Sequence, residues 1–86
     1  MYEVFLERAA RKDLEGLPAR VFRQVIACLR GLALDPRPPG ARKIVGSDNA
    51  WRVRVGEYRV VYEVDDEALR VIVYRVRHRK EAYRGL

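Results

Sequence analysis

The run Trp51-Arg52-Val53-Arg54-Val55-Gly56-Glu57-Tyr58-Arg59-Val60-Val61-Tyr62-Glu63-Val64-Asp65-Asp66 reads as a β-hairpin. β-branched and aromatic residues alternate with charged ones on both sides of Gly56-Glu57, as half-buried strands require. Gly in the first turn position suits a type II′ turn. That turn sets Val55 opposite Tyr58, Arg54 opposite Arg59 and Val53 opposite Val60. A third run, Leu69–Arg77, follows Asp65-Asp66-Glu67-Ala68. A turn centred on Asp66-Glu67 sets Val64 opposite Leu69, Glu63 opposite Arg70, Tyr62 opposite Val71 and Arg59 opposite Tyr74. The Glu63–Arg70 charge pair favours this register.

Side chains alternate along a strand, so two faces separate. Trp51, Val53, Val55, Tyr58, Val60, Tyr62, Val64, Leu69, Val71 and Val73 form an apolar face that needs cover. Arg52, Arg54, Arg59, Val61, Glu63, Arg70, Ile72, Tyr74, Val76 and, just past the strand, His78 form the other face. There, cations gather around an aromatic. Arg54 opposite Arg59 costs up to about 1 kcal/mol, which a polyanion lying over the sheet would offset. Splayed, solvated forks or an acidic protein partner would serve as well.

Upstream, the alternation of Tyr2, Val4 and Leu6 with Glu3 and Phe5 marks a short first strand. Ala9–Leu17 holds helix formers and ends at Gly16-Leu17-Pro18, where Pro can open the next helix. From Pro18 to about Leu34, Phe22, Val25, Ile26, Leu29, Leu32 and Ala33 recur at helical spacing, with Arg20, Arg23, Gln24 and Arg30 on the other side. The two helices are expected to form an antiparallel hairpin. Asp35-Pro36-Arg37-Pro38-Pro39-Gly40 ends helix formation, and a brief strand is expected at Ala41–Val45. The fold class is therefore α+β: an N-terminal strand, a two-helix hairpin, and a three- to four-stranded antiparallel meander in two layers, as a single domain over 1–86.

With 86 residues there is room for one thin core, so a large substrate must be handled in an open groove. Eighteen Lys and Arg against 12 Asp and Glu give a net charge of +6, which favours a polyanion or an acidic protein. All the cations but Lys12, Lys43 and Lys80 are Arg, whose forks match phosphate oxygens; a GC-rich genome produces the same bias. Cys28, the one cysteine, excludes an internal disulfide and a cysteine zinc site, and reads as a small buried filler. No apolar run approaches the ~20 residues of a membrane span, and Met1-Tyr2-Glu3-Val4 is not expected to open a signal peptide. A cytoplasmic protein without a membrane partner is expected.

The tail Arg75-Val76-Arg77-His78-Arg79-Lys80-Glu81-Ala82-Tyr83-Arg84 is dense in ionisable groups. Cleavage of RNA needs a base for the 2′-OH proton, a cation on the non-bridging phosphate oxygens, and an acid for the leaving 5′ oxygen. Arg52, Arg54, Arg59 and Arg79 can serve the second need. His78, the only histidine, is the best acid–base candidate, because unperturbed histidine titrates near neutrality; a lone histidine at a strand end is more often simply solvated. Tyr83 can stack on a base or donate to a phosphate, or it can close an edge of the core. Asp65-Asp66-Glu67 lacks the further ligands of a calcium loop. No Gly-rich phosphate loop or Ser/Cys nucleophile pair is present, so the expected chemistry uses neither metal nor cofactor.

Trp51–Asp66 resembles the central hairpin of RelE-type toxins of the RelE/ParE toxin–antitoxin superfamily, most specifically through Gly56-Glu57-Tyr58-Arg59-Val60-Val61-Tyr62. His78-Arg79-Lys80-Glu81-Ala82-Tyr83-Arg84 resembles their closing segment, and Ala9–Leu14, Leu17-Pro18 and Leu34-Asp35-Pro36 are similar too. The resemblance spans essentially the whole chain. It implies the toxin of a type II pair, an endoribonuclease that cuts messenger RNA in the ribosomal A site by metal-independent 2′-OH attack and so inhibits translation. Its partners would be a cognate antitoxin, the ribosome and mRNA. Arg59 matches the arginine on the scissile phosphate, Arg79 the one that assists the leaving group, and Tyr83 the tyrosine that orients the substrate.

Arg52 and Arg54 stand where well-studied members carry two lysines. Arginine stays protonated in proteins, so neither should remove a proton, and His78, or else Tyr83, becomes the expected proton carrier. The candidate catalytic set is Arg59, Arg79, Tyr83, His78 and Arg54; the candidate RNA contacts are Arg52, Arg54, Arg59, Tyr74, Arg77 and Lys80. Two alternatives stand beside the ribonuclease. One is a ParE-like toxin that inhibits DNA gyrase without cutting RNA. The other is a degenerate module that only binds antitoxin.

Overall fold

The computed structural model describes residues Met1 to Glu81. The elements run β1 (Glu3–Leu6), α1 (Arg8–Glu15), α2 (Ala19–Leu34), β2 (Arg42–Lys43), β3 (Ala50–Val55), β4 (Tyr58–Asp65) and β5 (Arg70–His78). They build one five-stranded mixed sheet in the order β1-β5-β4-β3-β2. β1 is parallel to β5, with Val4 beside Val71 and Leu6 beside Val73; the other neighbours are antiparallel.

Both helices cover one face of the sheet, each packing chiefly on strands: α1 on β5 and β1, α2 on β1 and β3. Ala10 and Leu14 of α1 and Val25, Leu29 and Leu32 of α2 meet Val53, Val60, Tyr62, Val64, Val71, Val73 and Val76 in a single core. Each fully buried Val or Leu contributes about 1.5–3 kcal/mol. Tyr62 is wholly buried and donates its hydroxyl to the Pro36 carbonyl at 2.7 Å, tying the segment after α2 to the sheet. Burial pushes its phenol up to about 12. Cys28 is half-buried beside this core, and burial raises its thiol above the usual range. Among the described residues, no helix is long and apolar enough to cross a membrane.

The β3–β4 hairpin has the expected register: Val55 faces Tyr58, Arg54 faces Arg59 and Val53 faces Val60. Gly56 sits at φ +58° while Glu57 does not take a positive φ, as a type II′ turn requires. The β4–β5 register differs from the sequence expectation. Val64 faces Val71, Glu63 faces Ile72, and Asp65 takes the place expected for Glu63 opposite Arg70. The turn is longer than two residues. The Asp65 carboxylate accepts the Ala68 N–H at 3.0 Å, and Leu69 lies in the left-handed region at φ +54°. Leu69 thereby leaves the apolar face and is 47% exposed.

A bulge then breaks the ladder. Tyr62 faces Val73, but its neighbour Val61 faces Arg75, so Tyr74 is the extra residue. Parity inverts beyond it. Val76 faces Val60 and enters the core at 2% exposure, Arg77 faces Arg59, and His78 faces Tyr58. Val76 and His78 are therefore on the helix side rather than among the arginines, and Arg77, not Tyr74, is the residue opposite Arg59. The bulged edge is held from α1. Asp13 accepts the Val76 N–H at 2.9 Å and two guanidinium bonds from Arg75 at 2.9 and 3.2 Å. β1 ends at Leu6 and the Glu7 N–H still donates to the Val73 carbonyl at 2.9 Å; beyond it, this carboxylate supplies the acceptor for the edge of β5.

Candidate nucleic-acid interface

Arg54, Arg59 and Arg77 lie in one row across β3, β4 and β5, each directly opposite the next. The adjacent row on the same face holds Arg52 and Val61, while Arg75, whose backbone is opposite Val61, carries its guanidinium to Asp13 of α1. Val61 is only 2% exposed yet lies outside the helix-side core. The arginine face thus has an apolar floor, along which cationic stems can lie while their heads reach water. Like charges directly opposite one another destabilise a sheet, and two such contacts in a single row mark a surface not arranged for stability.

The hairpin turn gathers two further groups. Arg54 Nε donates to the Gly56 carbonyl at 3.0 Å, and the Arg79 N–H donates to the adjacent Glu57 carbonyl at 2.7 Å. Arg79 Nε also meets Glu57 Oε2 at 2.8 Å, with both side chains more than half exposed. Such a surface pair is worth at most about 1 kcal/mol. Arg77 is held by Glu81 at 2.8 Å in the same manner. Arg59 makes one long bond, 3.4 Å to the Tyr58 carbonyl. Arg52, Arg54, Arg59 and Arg77 therefore share one face, and Arg79 is brought to the hairpin turn beside them.

The other sequence candidates fall elsewhere. Tyr74 shares the arginine face but donates to Glu63 at 3.1 Å. Burial and that carboxylate raise its phenol above the usual range, so it stays protonated. His78 meets the Tyr58 ring edge-on at 5.4 Å and lines a cleft of about 310 Å³ with Lys12, Asp13, Gly16 and Leu17. Lys80 is exposed and donates its backbone N–H to His78 Nδ1 at 3.3 Å. Tyr83 lies outside the described residues.

Glu57, Glu81 and Asp13 were not singled out by sequence reasoning. Glu57 carries a signal, since an acidic residue in the turn itself is poised over the strand ends. Glu81 stands four residues after Arg77, a spacing a further turn of chain could use. Among the described residues, no group of three or more His, Cys, Asp or Glu is placed to hold a metal ion.

Comparison with known proteins places this arrangement. Residues 4–83 match the family model described as the ParE toxin of the type II toxin–antitoxin system parDE. The toxin RelG of Mycobacterium tuberculosis is 37% identical over 96% of this chain and 97% of its own length. The isolated E. coli RelE toxin superposes with a TM-score of 0.81 at 26% identity, covering 91% of this chain and 84% of that one. The toxin–antitoxin complex RelBE2 of M. tuberculosis contains a chain with a TM-score of 0.80 at 30% identity, covering 90% of this chain and 96% of that one. Sequence and fold agree over nearly the whole length, and the chain belongs to the RelE/ParE superfamily as a RelE-type toxin of a type II toxin–antitoxin system.

Proposed function

We propose that this toxin is an endoribonuclease that cleaves messenger RNA in the ribosomal A site and so arrests translation. The observation that carries the reading is the row Arg54–Arg59–Arg77, with Arg79 at its open end. In the proposed reaction the 2′-OH attacks the adjacent phosphorus and the P–O5′ bond breaks. A 2′,3′-cyclic phosphate and a 5′-OH result. Arg59 binds the non-bridging oxygens of the scissile phosphate, where negative charge builds in the transition state. Arg54 shares that charge from the next strand, and Arg79, released from Glu57, reaches the departing 5′ oxygen. Arg52, Arg77 and Lys80 hold the flanking backbone, Tyr74 borders the path, and Tyr83 orients the substrate base.

The fixed positive charge of the arginines suits charge stabilisation and not proton removal. The proton has two candidate carriers, Tyr83 and His78. His78 points to the α1 cleft, so its use would require the end of β5 to turn over. A cognate antitoxin, the partner of the related toxins in the RelBE complexes, would neutralise the protein by covering the arginine face with acidic side chains. The site of action is the cytoplasm.

The test is induced expression in a sensitive host with mapping of message 5′ ends. Wild type yields new in-frame ends, and Arg59→Ala or Arg79→Ala lowers the cutting rate about 10²–10³-fold, as expected for the loss of a transition-state donor. Cutting that survives both substitutions refutes the reading. The ParE family match favours a second reading, gyrase inhibition; DNA-damage signalling with intact messages would establish it. Harmless expression would mark a degenerate antitoxin-binding module.

A further inference from the structure

Arg42 occupies the edge strand β2 directly opposite Arg52, while Lys43 is opposite Trp51. Trp51 packs against the core, so strand parity gives Lys43 to the helix side and Arg42 to the arginine face. Arg42–Arg52 is therefore a third like-charge contact, one row along from Arg54–Arg59 and Arg59–Arg77. Rows on one face are about 7 Å apart and strands about 4.8 Å. Arg42 is two strands and one row from Arg59, a backbone separation of about 12 Å. That is too far for the scissile phosphate and within reach of a phosphate further along an extended strand.

The geometry points to a second phosphate subsite, formed by Arg42 and Arg52, that binds the RNA backbone beyond the scissile step. It rests on the ribonuclease reading above. The track begins at Arg77, runs through Arg59 and Arg54, and turns onto Arg52 and Arg42 at the sheet edge. The edge also offers a place for a base. A shallow depression of about 240 Å³ is lined by Lys43, Ile44, Val45 and Arg52. Val45 is 98% exposed at its rim, followed by Gly46 at φ +87°. A base carried by the flanking nucleotide lies on this apolar patch while Arg42 and Arg52 hold its phosphate.

The test uses purified full-length toxin and two RNA oligomers methylated at every 2′-OH, which cannot be cut: a trimer spanning the scissile step and a heptamer reaching the sheet edge. Binding is followed by fluorescence anisotropy from low to moderate salt. Arg42→Gln weakens the heptamer about fivefold to tenfold and lowers the slope of log affinity against log salt by about 0.7, the share of one phosphate contact on a single strand. Its trimer affinity stays within twofold of wild type. Arg23→Gln, which removes the same charge from the exposed side of α2 on the opposite face of the sheet, leaves the heptamer within twofold.

Unchanged heptamer binding by Arg42→Gln, an equal loss in Arg23→Gln, or a wild type that binds neither oligomer overturns the subsite. Wild type that still cuts messages in the expression assay leaves the ribonuclease reading standing in each of those cases. Wild type that cuts none removes that reading and the subsite with it.

Discussion

Replacing the middle arginine of the row should make the protein more stable while removing its activity. Arg59 has a like-charged neighbour on each side, Arg54 and Arg77. Two unit charges about 5 Å apart repel by about 0.8 kcal/mol in water. Splaying of the forks and screening reduce each contact to a few tenths, and Glu81 offsets part of the charge on Arg77. Arg59→Gln keeps part of the aliphatic stem and removes both contacts. The net gain is about 0.5 kcal/mol, or roughly 2–4 °C in Tm for a domain of this size.

Arg54→Gln, at the end of the row, removes one contact and should gain about half as much. Thermal unfolding at about 10 mM and about 500 mM NaCl is the assay. The Debye length falls from roughly 30 Å to about 4 Å over that range, so the gap between wild type and Arg59→Gln should close at high salt. A variant no more stable than wild type at low salt, or a gap that ignores salt, would mean that the three forks do not sense one another. The claim that this row is kept for a ligand rather than for the fold would then fail.

Asp13→Ala should cost about 2 kcal/mol, chiefly by leaving the Val76 N–H without an acceptor, because the Arg75 side chain is 37% exposed and its ion pair is discounted accordingly. Asp13→Asn and Arg75→Ala should each cost less than half as much in urea unfolding; equal losses in all three would refute the ranking. The Asp66 carboxyl is held below the ordinary carboxylate range by bonds from Arg37 and Tyr2. Its contribution is therefore complete above the unfolded value of 3.8 and is lost as pH falls through the lower folded value. Tm of wild type should drop more steeply than that of Asp66→Asn below about pH 4, and parallel curves would contradict this. His78→Ala should cut messages at a rate within a few-fold of wild type, because His78 faces the α1 cleft; a loss of about 10²-fold or more, with a limb near neutrality missing from the pH–rate profile, would return the proton transfer to His78.

The hairpin from Trp51 to Asp65 was legible in the sequence because two signals coincide there: strict alternation and a glycine where the turn needs positive φ. Those signals placed Arg52, Arg54 and Arg59 on one face. The next turn offered no such signal. Its length depends on a side-chain bond, Asp65 to the Ala68 N–H, and on a left-handed Leu69 that residue preferences do not announce. The bulge left one trace, the spacing of three between Val73 and Val76 after a spacing of two between Val71 and Val73. Asp13 left none, since a charged helix residue reads as solvated until the edge of β5 is seen against it. Nor does the short alternating run of β1 say which strand it will join, and its parallel pairing with β5 comes from the crossover through both helices.

The bulge joins the fold to the site. Without the bulge, regular pairing continued from Tyr62–Val73 would turn Val76 outward opposite Arg59, Arg75 inward against Val60 and Arg77 inward beside Tyr58. The core would then lose an apolar side chain and bury a charge without an evident partner, a combination that costs several kcal/mol. With the bulge, one shift in parity seals the core with Val76 and completes the row with Arg77. Asp13 fastens that parity by accepting the Val76 N–H itself, so a carboxylate on α1, on the other side of the sheet, governs which side chain joins the arginine row. Weakening this clamp should therefore speed amide exchange at Val76 and lower RNA affinity together. If exchange quickens while affinity is untouched, Arg77 contributes nothing to binding, and the row reduces to Arg54 and Arg59.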